Sequence, residues 1–188
     1  MLHHGVVEFR SNRLILRRWD PNDDEDVEAA FDIYRRDEVA RWLGSKPQPW
    51  PSLEFARLRL ERWHNIAEEQ PNLGLWAIAL DRLSSPIGTV LLGRLPDSND
   101  ELTEDVEVGW HLHPDHWGNG YATEAAQTIL EHAWELEIDE VNAVAYPAND
   151  RSTAVMQRLG MERQGLTSRW YGVEMEWWLL GAPLPPAA

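Results

Sequence analysis

The segment Val106–Glu124 constrains the fold more than any other part of the chain. Residues 106–112 alternate as a β-strand does and contain Gly109, which suggests a bulge or a close backbone approach. Residues 117–123, Trp-Gly-Asn-Gly-Tyr-Ala-Thr, then lead directly into an amphipathic run with helical spacing. A strand, a glycine-rich turn and a helix N-terminus offer several unpaired N–H groups to one anion. The segment therefore predicts an anion cradle.

The cradle does not match the two most familiar phosphate-binding motifs. It lacks the Gly-Lys-Ser/Thr of a Walker loop and the third glycine of a dinucleotide fingerprint. Gly118 and Gly120 are expected to adopt positive φ and to let the backbone approach a phosphate closely. A glycine pair before a helix also occurs in ordinary tight turns, so the loop alone leaves that alternative open.

Helices and strands alternate along the chain in a way that favours one mixed fold. Strands are predicted at 13–19, 74–80, 87–95, 106–112 and 141–146 and as a hairpin over 161–180, with an acidic loop at 96–105. Helices are predicted at 23–34, from Ser52 to Ile66, at 120–137 and from Asn149 to Leu159, with a short amphipathic turn at 39–43. This order predicts an α/β (α+β) fold, a mixed central sheet of about seven strands with helices on both faces.

Composition limits the classes of protein that the chain can belong to. With 188 residues, 43% of them apolar, we predict a single domain over residues 1–182 and a Pro/Ala-rich tail at 183–188. The net charge of −15 argues against nucleic acid and against an anionic membrane surface as partners. Residues 1–9 lack a signal-peptide core, and no uncharged apolar run is long enough to span a membrane. The absence of Cys excludes an acyl-cysteine intermediate and fits a cytoplasmic location.

Several motifs together carry a family resemblance that covers nearly the whole chain. They are Arg13–Arg17, Val39–Leu43, Val106–Trp110, Gly118–Ala125, and Asn149–Ser152 leading to Leu159–Met161. In these motifs the chain resembles the GNAT superfamily of N-acetyltransferases, most closely its RimJ/RimL-like branch. The resemblance implies a GNAT fold, acetyl-CoA as donor and a primary amine as acceptor, with a protein N-terminal α-amine favoured. A homodimer is expected by analogy only.

The resemblance also assigns residues to the donor. The cradle, which begins at Trp117, is expected to bind the pyrophosphate through its backbone at Gly118, Asn119, Gly120, Tyr121, Ala122 and Thr123. The pantetheine is expected to pair with the backbone of Leu112 and His113, where two strands splay apart, and the N–H of His111 to hold the thioester oxygen. Asn149 matches a position that bonds the pantetheine arm, although it is also a good helix N-cap.

One departure from the family pattern concerns charge. The family's cradle usually begins with Gln or Arg and often contains a basic residue, whereas Trp117 and Asn119 stand there in this chain. Between Leu95 and Asp150 there is no Lys or Arg, against fourteen Asp and Glu. We therefore expect backbone N–H groups to dominate phosphate binding, with His116 and either Arg151 or Arg158 assisting.

Glu107 is the leading candidate for the base that deprotonates the amine, because similar enzymes often place a catalytic glutamate on this strand. A sheet-face carboxylate that only bonds a neighbouring strand is the alternative. Ser152 matches a position proposed to protonate the departing thiolate, but it is also an ordinary first-turn residue. Tyr171 is a second candidate for the acid, and a histidine acting through water is a second candidate for the base.

Three histidines and two tryptophans complete the set of candidate residues. His111, His113 and His116 cluster, but they lack further ligands and no His-Glu-x-x-His helix accompanies them, so we expect no metal. Trp42 and Trp50 lie in a segment that closes over the acceptor in similar enzymes, and with Tyr171 they are candidates for acceptor binding. The remaining alternatives are an aminoglycoside or small-amine acetyltransferase and a non-catalytic acyl-CoA sensor.

Overall fold

A computed structural model describes residues 8–82 and 84–183, so most of the predicted tail at 183–188 lies outside the described residues. The strands are β1 Phe9–Arg10, β2 Ile15–Arg18, β3 Gly74–Ala79, β4 Gly88–Pro96, β5 Leu102–Leu112, β6 Glu140–Ala145, β7 Glu162–Thr167 and β8 Met175–Gly181. The helices are α1 Asp24–Tyr34, α2 Asp37–Ala40, α3 Leu53–Glu69, α4 Tyr121–Glu135 and α5 Asp150–Arg158, and a 3₁₀ turn spans Pro114–His116. The boundary of the domain at residue 182 stays a prediction.

All the described strands belong to one sheet with the order β1-β2-β3-β4-β5-β6-β8-β7. Every neighbouring pair is antiparallel except β5 and β6, which are parallel and in register only at Glu107 and Asn142. Beyond that single pair the two strands are not paired, which agrees with the splayed gap that the family resemblance implies. The gap opens at the end of β5 that leads toward the cradle.

Two details of the sheet differ from the sequence prediction. The sheet has eight strands in the part of the chain that the structure describes rather than about seven, because Phe9 and Arg10 add a short edge strand to β2. The segment 96–105 is not wholly a loop, since β5 already begins at Leu102, opposite Pro96. Of its acidic residues, Asp97, Asp100 and Glu101 precede β5, whereas Glu104 and Asp105 lie within the strand.

Helices cover both faces of the sheet, as the sequence predicts. On one face, α4 buries a small-residue stripe against the central strands, with Ala125, Ala126 and Ile129 fully buried. On the other face, α1 and α3 pack together over Ala77 and bury Tyr34, Leu60 and Trp63. The edges of the splayed gap therefore lie between two well-packed layers.

Helix caps fix where the site-bearing elements begin. The Ser52 hydroxyl accepts from the N–H of Phe55 at 3.1 Å and starts α3, and the Asn149 side chain accepts from the N–H of Ser152 at 3.4 Å and starts α5. By contrast, α4 begins after Gly120 without a side-chain cap from any described residue. Its first amides are consequently free for another partner.

No helix within residues 8–82 and 84–183 combines the length and the apolarity that a membrane crossing requires.

Candidate active site

A cavity of about 1700 Å³ runs along the splayed gap and brings together most of the predicted site residues. Glu107, His111, Leu112, Trp117, Gly118, Gly120, Tyr121, Ala122, Thr123, Asn149, Ser152, Trp42, Trp50 and Tyr171 all line it. Of the predicted set, His113 and Asn119 are not among the lining residues. The cavity therefore joins the cradle, the strand gap and the aromatic segment in one continuous site.

The cradle has the backbone conformation that an anion site needs. Gly118 and Gly120 have φ of 78° and 80°, a region that favours glycine, so the expectation of positive φ is confirmed. A Cβ at Gly118 would meet no described atom within 4 Å, which means that conformation rather than crowding requires glycine there. The hydroxyl of Thr123, in the first turn of α4, is buried and has no partner among the described residues. An orphaned donor beside free amides fits a phosphate.

A cation from the start of the chain supports the cradle from outside. Arg13 donates to the carbonyl of Asn119 at 3.1 Å, pairs with Glu124 at 2.7 Å and lies over the Tyr121 ring at 4.8 Å. Ser11 adds a hydrogen bond of 2.7 Å to Glu124. These contacts tie the segment between β1 and β2 to the first turn of α4 and hold the cradle in shape. Local sequence reasoning missed Arg13 because it lies more than a hundred residues before the turn it braces.

The two unusual cradle residues have structural partners. The indole N–H of Trp117 donates to the carbonyl of Leu112 at 2.9 Å, and its ring lies 4.2 Å below the guanidinium of Arg151. The Asn119 amide donates to the carbonyls of His116 and Trp117, each at 3.2 Å. Trp117 thus packs and orients the turn, Asn119 braces it internally, and Arg151 brings positive charge from α5 to its edge.

The strand ladder decides which amides of β5 face the gap. The N–H of His113 donates to the carbonyl of Ile87, on the β4 side, at 2.9 Å. Alternate residues of an antiparallel ladder bond the same neighbour, so the N–H of His111 also faces β4, opposite Thr89. The amides that face the gap are those of Trp110 and Leu112. This moves the expected thioester-binding amide away from His111 by one residue. Of the expected pantetheine contacts, the Leu112 backbone faces the gap and the His113 N–H does not.

Glu107 lies at the closed end of the gap, 9% exposed, and accepts a hydrogen bond from the hydroxyl of Tyr171. Burial raises the pKa of Glu107 to about 7, and the Tyr171 hydrogen bond opposes that rise. Tyr171 keeps its proton because burial and the neighbouring carboxylate both raise its pKa. Residue 171 has φ of 59°, and its N–H donates to the carbonyl of Pro96 at 3.1 Å, so the turn between β7 and β8 aims the phenol at β5.

His111 lies two positions after Gly109 on the same face of β5 as Glu107. Burial lowers the pKa of His111 to about 4, so the imidazole is neutral at physiological pH. Its Nδ1 lies 3.1 Å from the hydroxyl of Tyr34, which donates to the Thr89 hydroxyl at 2.6 Å. A neutral imidazole held in this way is a weaker base than Glu107.

His113 and His116 have other surroundings. The Nε2 of His113 lies 3.1 Å from the Asp32 carboxylate, and its Nδ1 accepts from the N–H of Asp115 at 3.2 Å. Burial and then the neighbouring His113 lower the pKa of His116, which makes it a poorer phosphate cation than expected. Among the described residues, no group of three His, Asp or Glu has a geometry that could hold a metal ion.

The aromatic residues divide between two parts of the cavity. Trp50 stacks on Tyr34 with ring centroids 4.3 Å apart, and Trp63 lies 5.7 Å from both. Trp42 lies apart from them, 6.4 Å from Tyr146. Trp50 thus belongs to an aromatic wall built by α1 and α3, whereas Trp42 lines the side that faces β6.

The cavity wall differs in charge from the molecule as a whole. Among the described residues that line it, five are cationic and three are acidic: Arg41, Lys46, Arg59, Arg151 and Arg158 against Glu38, Glu107 and Asp150. The sequence analysis predicts either Arg151 or Arg158 near the phosphates, and both line the cavity. No pattern in the sequence indicates Arg41, Lys46 or Arg59. This local excess of positive charge suits anionic substrates.

Comparisons with known proteins agree with this geometry. The family model for the acetyltransferase (GNAT) domain matches residues 13–162. The uncharacterized N-acetyltransferase YoaA of Bacillus subtilis is 26% identical over 159 residues, which is 84% of each chain. The crystal structure of an acetyltransferase from Agrobacterium tumefaciens is 25% identical with a TM-score of 0.71, covering 97% of this chain and 98% of that one. RimL, the ribosomal L7/L12 alpha-N-protein acetyltransferase solved with coenzyme A, shares the fold at 15% identity, with a TM-score of 0.73 and coverage of 93% and 98%.

The fold and the donor-shaped cavity thus define an acyl-CoA-dependent transferase. The chain belongs to the GNAT acetyltransferase family and is an acetyl-CoA-dependent N-acetyltransferase.

Proposed function

We propose that the chain moves an acetyl group from acetyl-CoA directly to a primary amine within a ternary complex, with a protein N-terminal α-amine as the favoured acceptor. The observation that carries the proposal is the position of Glu107, a buried carboxyl with a pKa of about 7 at the closed end of a gap continuous with the cradle. The chain has no Cys to form an acyl-enzyme, which supports direct transfer.

In this proposal the cradle binds the pyrophosphate through the amides of residues 118–123 and the hydroxyl of Thr123. The pantetheine arm follows the gap between β5 and β6, with Asn149 at the start of α5 beside it. The gap-facing amides of Trp110 and Leu112 donate hydrogen bonds to acetyl-CoA. One of them stabilises the thioester oxygen, on which negative charge develops.

Glu107 takes the proton from the attacking amine, either directly or through one water molecule. A base whose pKa lies near the working pH combines adequate basicity with a substantial deprotonated fraction, and Glu107 meets this condition better than His111, with its pKa of about 4. As the amine nitrogen bonds to the thioester carbon it releases this proton to Glu107, and the C–S bond breaks. Ser152 is the proposed donor of a proton to the departing thiolate and regains a proton from solvent.

The preference for an N-terminal α-amine rests on relatives. Solved structures with the same fold include the ribosomal L7/L12 alpha-N-protein acetyltransferase RimL and a ribosomal-protein-S5-alanine acetyltransferase from Vibrio fischeri. A small-amine or aminoglycoside acetyltransferase is the alternative with the same chemistry, and a non-catalytic acyl-CoA sensor is the alternative of another class. A cytoplasmic location belongs to the same proposal.

Replacing Glu107 by Gln tests the proposal. We expect kcat to fall about 10²- to 10⁴-fold, because a positioned general base contributes on that order, while calorimetry still detects acetyl-CoA binding. Glu104, an exposed carboxylate on the same strand, is the matched control, and Glu104→Gln should keep wild-type turnover. A wild-type protein that binds the donor but acetylates no peptide, polyamine or aminoglycoside would support the sensor instead.

A further inference from the structure

One face of α3 turns a cation toward the acceptor side of the cavity. Phe55, Arg59 and Trp63 are spaced four residues apart, so they share this face, and all three line the cavity. Trp50 packs against the two aromatic members at 5.8 and 5.7 Å and adds a second layer to the wall. Arg59 is the only charged side chain between the two aromatic members of this stripe.

Arg59 has no counter-ion among the residues that the structure describes. Its Nε is buried without a partner, and no residue within the described ranges forms an ion pair or a hydrogen bond with its guanidinium. Burial and then the like charge of Arg62 lower the pKa of Arg59. In contrast, Arg57 on the same helix reaches Asp24 at 2.6 Å, and Arg17 reaches the buried Asp26 at the same distance.

An unpaired and partly buried guanidinium destabilises a fold unless something compensates it. The chain has 32 acidic side chains against 17 basic ones, so carboxylates to pair with Arg59 are not scarce. Its guanidinium is instead left facing a cavity where a bound molecule can reach it. A ligand that brings its own negative charge would complete the site.

We propose that Arg59 binds a carboxylate of the amine acceptor, so that the enzyme selects acceptors carrying a carboxylate close to the reacting amine. The inference rests on the proposed function, since it needs an amine acceptor in this part of the cavity. A guanidinium matches a carboxylate through two parallel hydrogen bonds, and its single charge balances one carboxylate better than a doubly charged phosphate. The aromatic wall of Trp50 and Trp63 contacts the apolar part of the same acceptor.

A carboxylate site at Arg59 changes which acceptors are expected. A polyamine or an aminoglycoside would bring additional cations against Arg59, which is unfavourable in a partly desolvated cavity. Two sources can supply the carboxylate: a free amino acid, or an acidic side chain near the N-terminus of a peptide. Both offer the same chemistry to Arg59 and differ only in how much chain must fit the cavity.

The test compares acceptors that differ only in the carboxylate. Phenylalanine is paired with phenylalanine amide, and a peptide that begins Ser-Glu is paired with one that begins Ser-Gln. The carboxamide lowers the basicity of the phenylalanine amine, so this intrinsic bias favours the amide and works against the proposal. For the wild type we expect kcat/KM to favour the carboxylate about 10- to 100-fold in at least one pair, the range of a charge-assisted hydrogen bond. The pair that responds identifies the source.

Arg59→Gln should bring the ratio within each pair close to one, mainly by raising the KM for the carboxylate acceptor, and should leave the KM for acetyl-CoA unchanged. Arg62→Gln removes the same charge from an exposed position of the same helix and should keep the wild-type ratio. Removing an unpaired cation should also leave the melting temperature unchanged or raise it. If Arg59 only stabilised the fold, Arg59→Gln would instead lower the melting temperature and slow the acetylation of both members of a pair equally. That result would overturn the inference.

Failure of the inference can be told from failure of the proposed function. If the wild type acetylates both members of every pair equally, or prefers the amide or the Gln peptide, the carboxylate site is refuted while the acetyltransferase stands. If Arg59→Gln raises the KM for acetyl-CoA instead, Arg59 belongs to the donor site and the inference is likewise refuted. If no acceptor of any kind is acetylated although acetyl-CoA binds, the proposed function fails and the inference with it.

Discussion

At the scale of single residues, burial has opposite consequences for the two titratable groups on one face of β5. It raises the pKa of Glu107 to about 7 and lowers that of His111 to about 4, because in each case the charged form is disfavoured. The carboxyl therefore becomes a usable base near neutral pH, and the imidazole remains neutral. One environment thus assigns different roles to neighbouring side chains.

The pH dependence of turnover follows from Glu107. We expect kcat/KM to rise with pH through about 7 as this carboxyl loses its proton. Tyr171→Phe removes a hydrogen bond that favours the carboxylate, so it should raise the pKa of Glu107 further and move the rising limb to higher pH. Tyr146→Phe, which changes a half-buried phenol bonded to the carbonyl of Gly44, is the control and should leave the limb in place. A shift to lower pH in Tyr171→Phe would contradict the assignment.

The same carboxyl affects stability. Its pKa is about 7 in the folded protein against an ordinary value of 4.5 for an exposed glutamate, so between these values the folded protein holds more protons than the unfolded chain. Stability therefore falls as pH rises through this window and levels off above it. Glu107→Gln removes this pH-dependent loss of stability. The free energy of unfolding of the variant minus that of the wild type should therefore be about 1–3 kcal/mol larger at pH 8 than at pH 4. Urea titrations at both values measure this, and an equal difference at the two pH values would contradict it.

At the scale of elements, the turn between β5 and α4 carries the donor site. The described residues leave α4 without a side-chain cap, Gly118 and Gly120 have positive φ, and Arg13 braces the turn from the segment between β1 and β2. The turn is thus shaped by contacts that do not use its amides. These amides therefore stay available to donate hydrogen bonds to a bound anion.

Gly120→Val should abolish detectable donor binding. A β-branched residue at φ of 80° costs about 1–3 kcal/mol or forces the turn to another conformation, and either outcome misaligns the amides. Gly181→Val is the control, since its Cβ meets no described atom within 4 Å and its φ is not positive. Calorimetry with acetyl-CoA measures the result.

Dephospho-CoA should bind the wild type as well as CoA does if backbone amides dominate phosphate binding. A large loss of affinity would show that the cations hold the 3′-phosphate.

Elements with strong local signals could be predicted from the sequence. The stripe of α4, the caps Ser52 and Asn149, and the glycine pair of the cradle are each encoded within a few residues. Both helix-covered faces followed from the order of elements. The register of β5 could not be predicted, because which of its amides face β4 depends on a pairing partner distant in the sequence. For this reason the thioester contact was assigned to the N–H of His111 rather than to that of a neighbouring residue.

The parts of the site that escaped prediction depend on contacts between distant segments. Tyr171 reaches Glu107 across 64 residues, and Arg13 reaches Asn119 across 106. Arg59 carries no motif, and only the structure reveals that it lacks a partner among the residues described. Such pairings follow from the tertiary fold and leave no local pattern in the sequence.

At the scale of the whole molecule, the net charge and the cavity charge have opposite signs. The chain carries −15, yet the described lining residues include five cations against three acids. Cations in a concave, low-dielectric wall act on a nearby anion more strongly than distant surface charges, which salt screens within about 8–10 Å. The cavity thus attracts an anionic donor to an acidic protein.

The salt dependence of acetyl-CoA association distinguishes the effect of the cavity cations from that of the net charge of the protein. We expect the association rate of acetyl-CoA, measured by stopped-flow quenching of tryptophan fluorescence, to fall as ionic strength rises from about 20 to 150 mM, because the cavity cations dominate. Arg151→Gln should flatten that dependence, since Arg151 lies beside the cradle at Trp117. A rate that rises with salt would mean that the net charge governs the approach.

One continuous cavity is proposed to align the donor from the cradle to Glu107, and a crystal structure of the complex with acetyl-CoA would show this alignment. We expect the diphosphate to accept hydrogen bonds from the amides of residues 118–123 and the pantetheine to follow the gap between β5 and β6. We also expect the thioester to lie beside the amides of Trp110 and Leu112. A diphosphate bound elsewhere, with the cradle amides facing only solvent, would contradict this alignment of the donor.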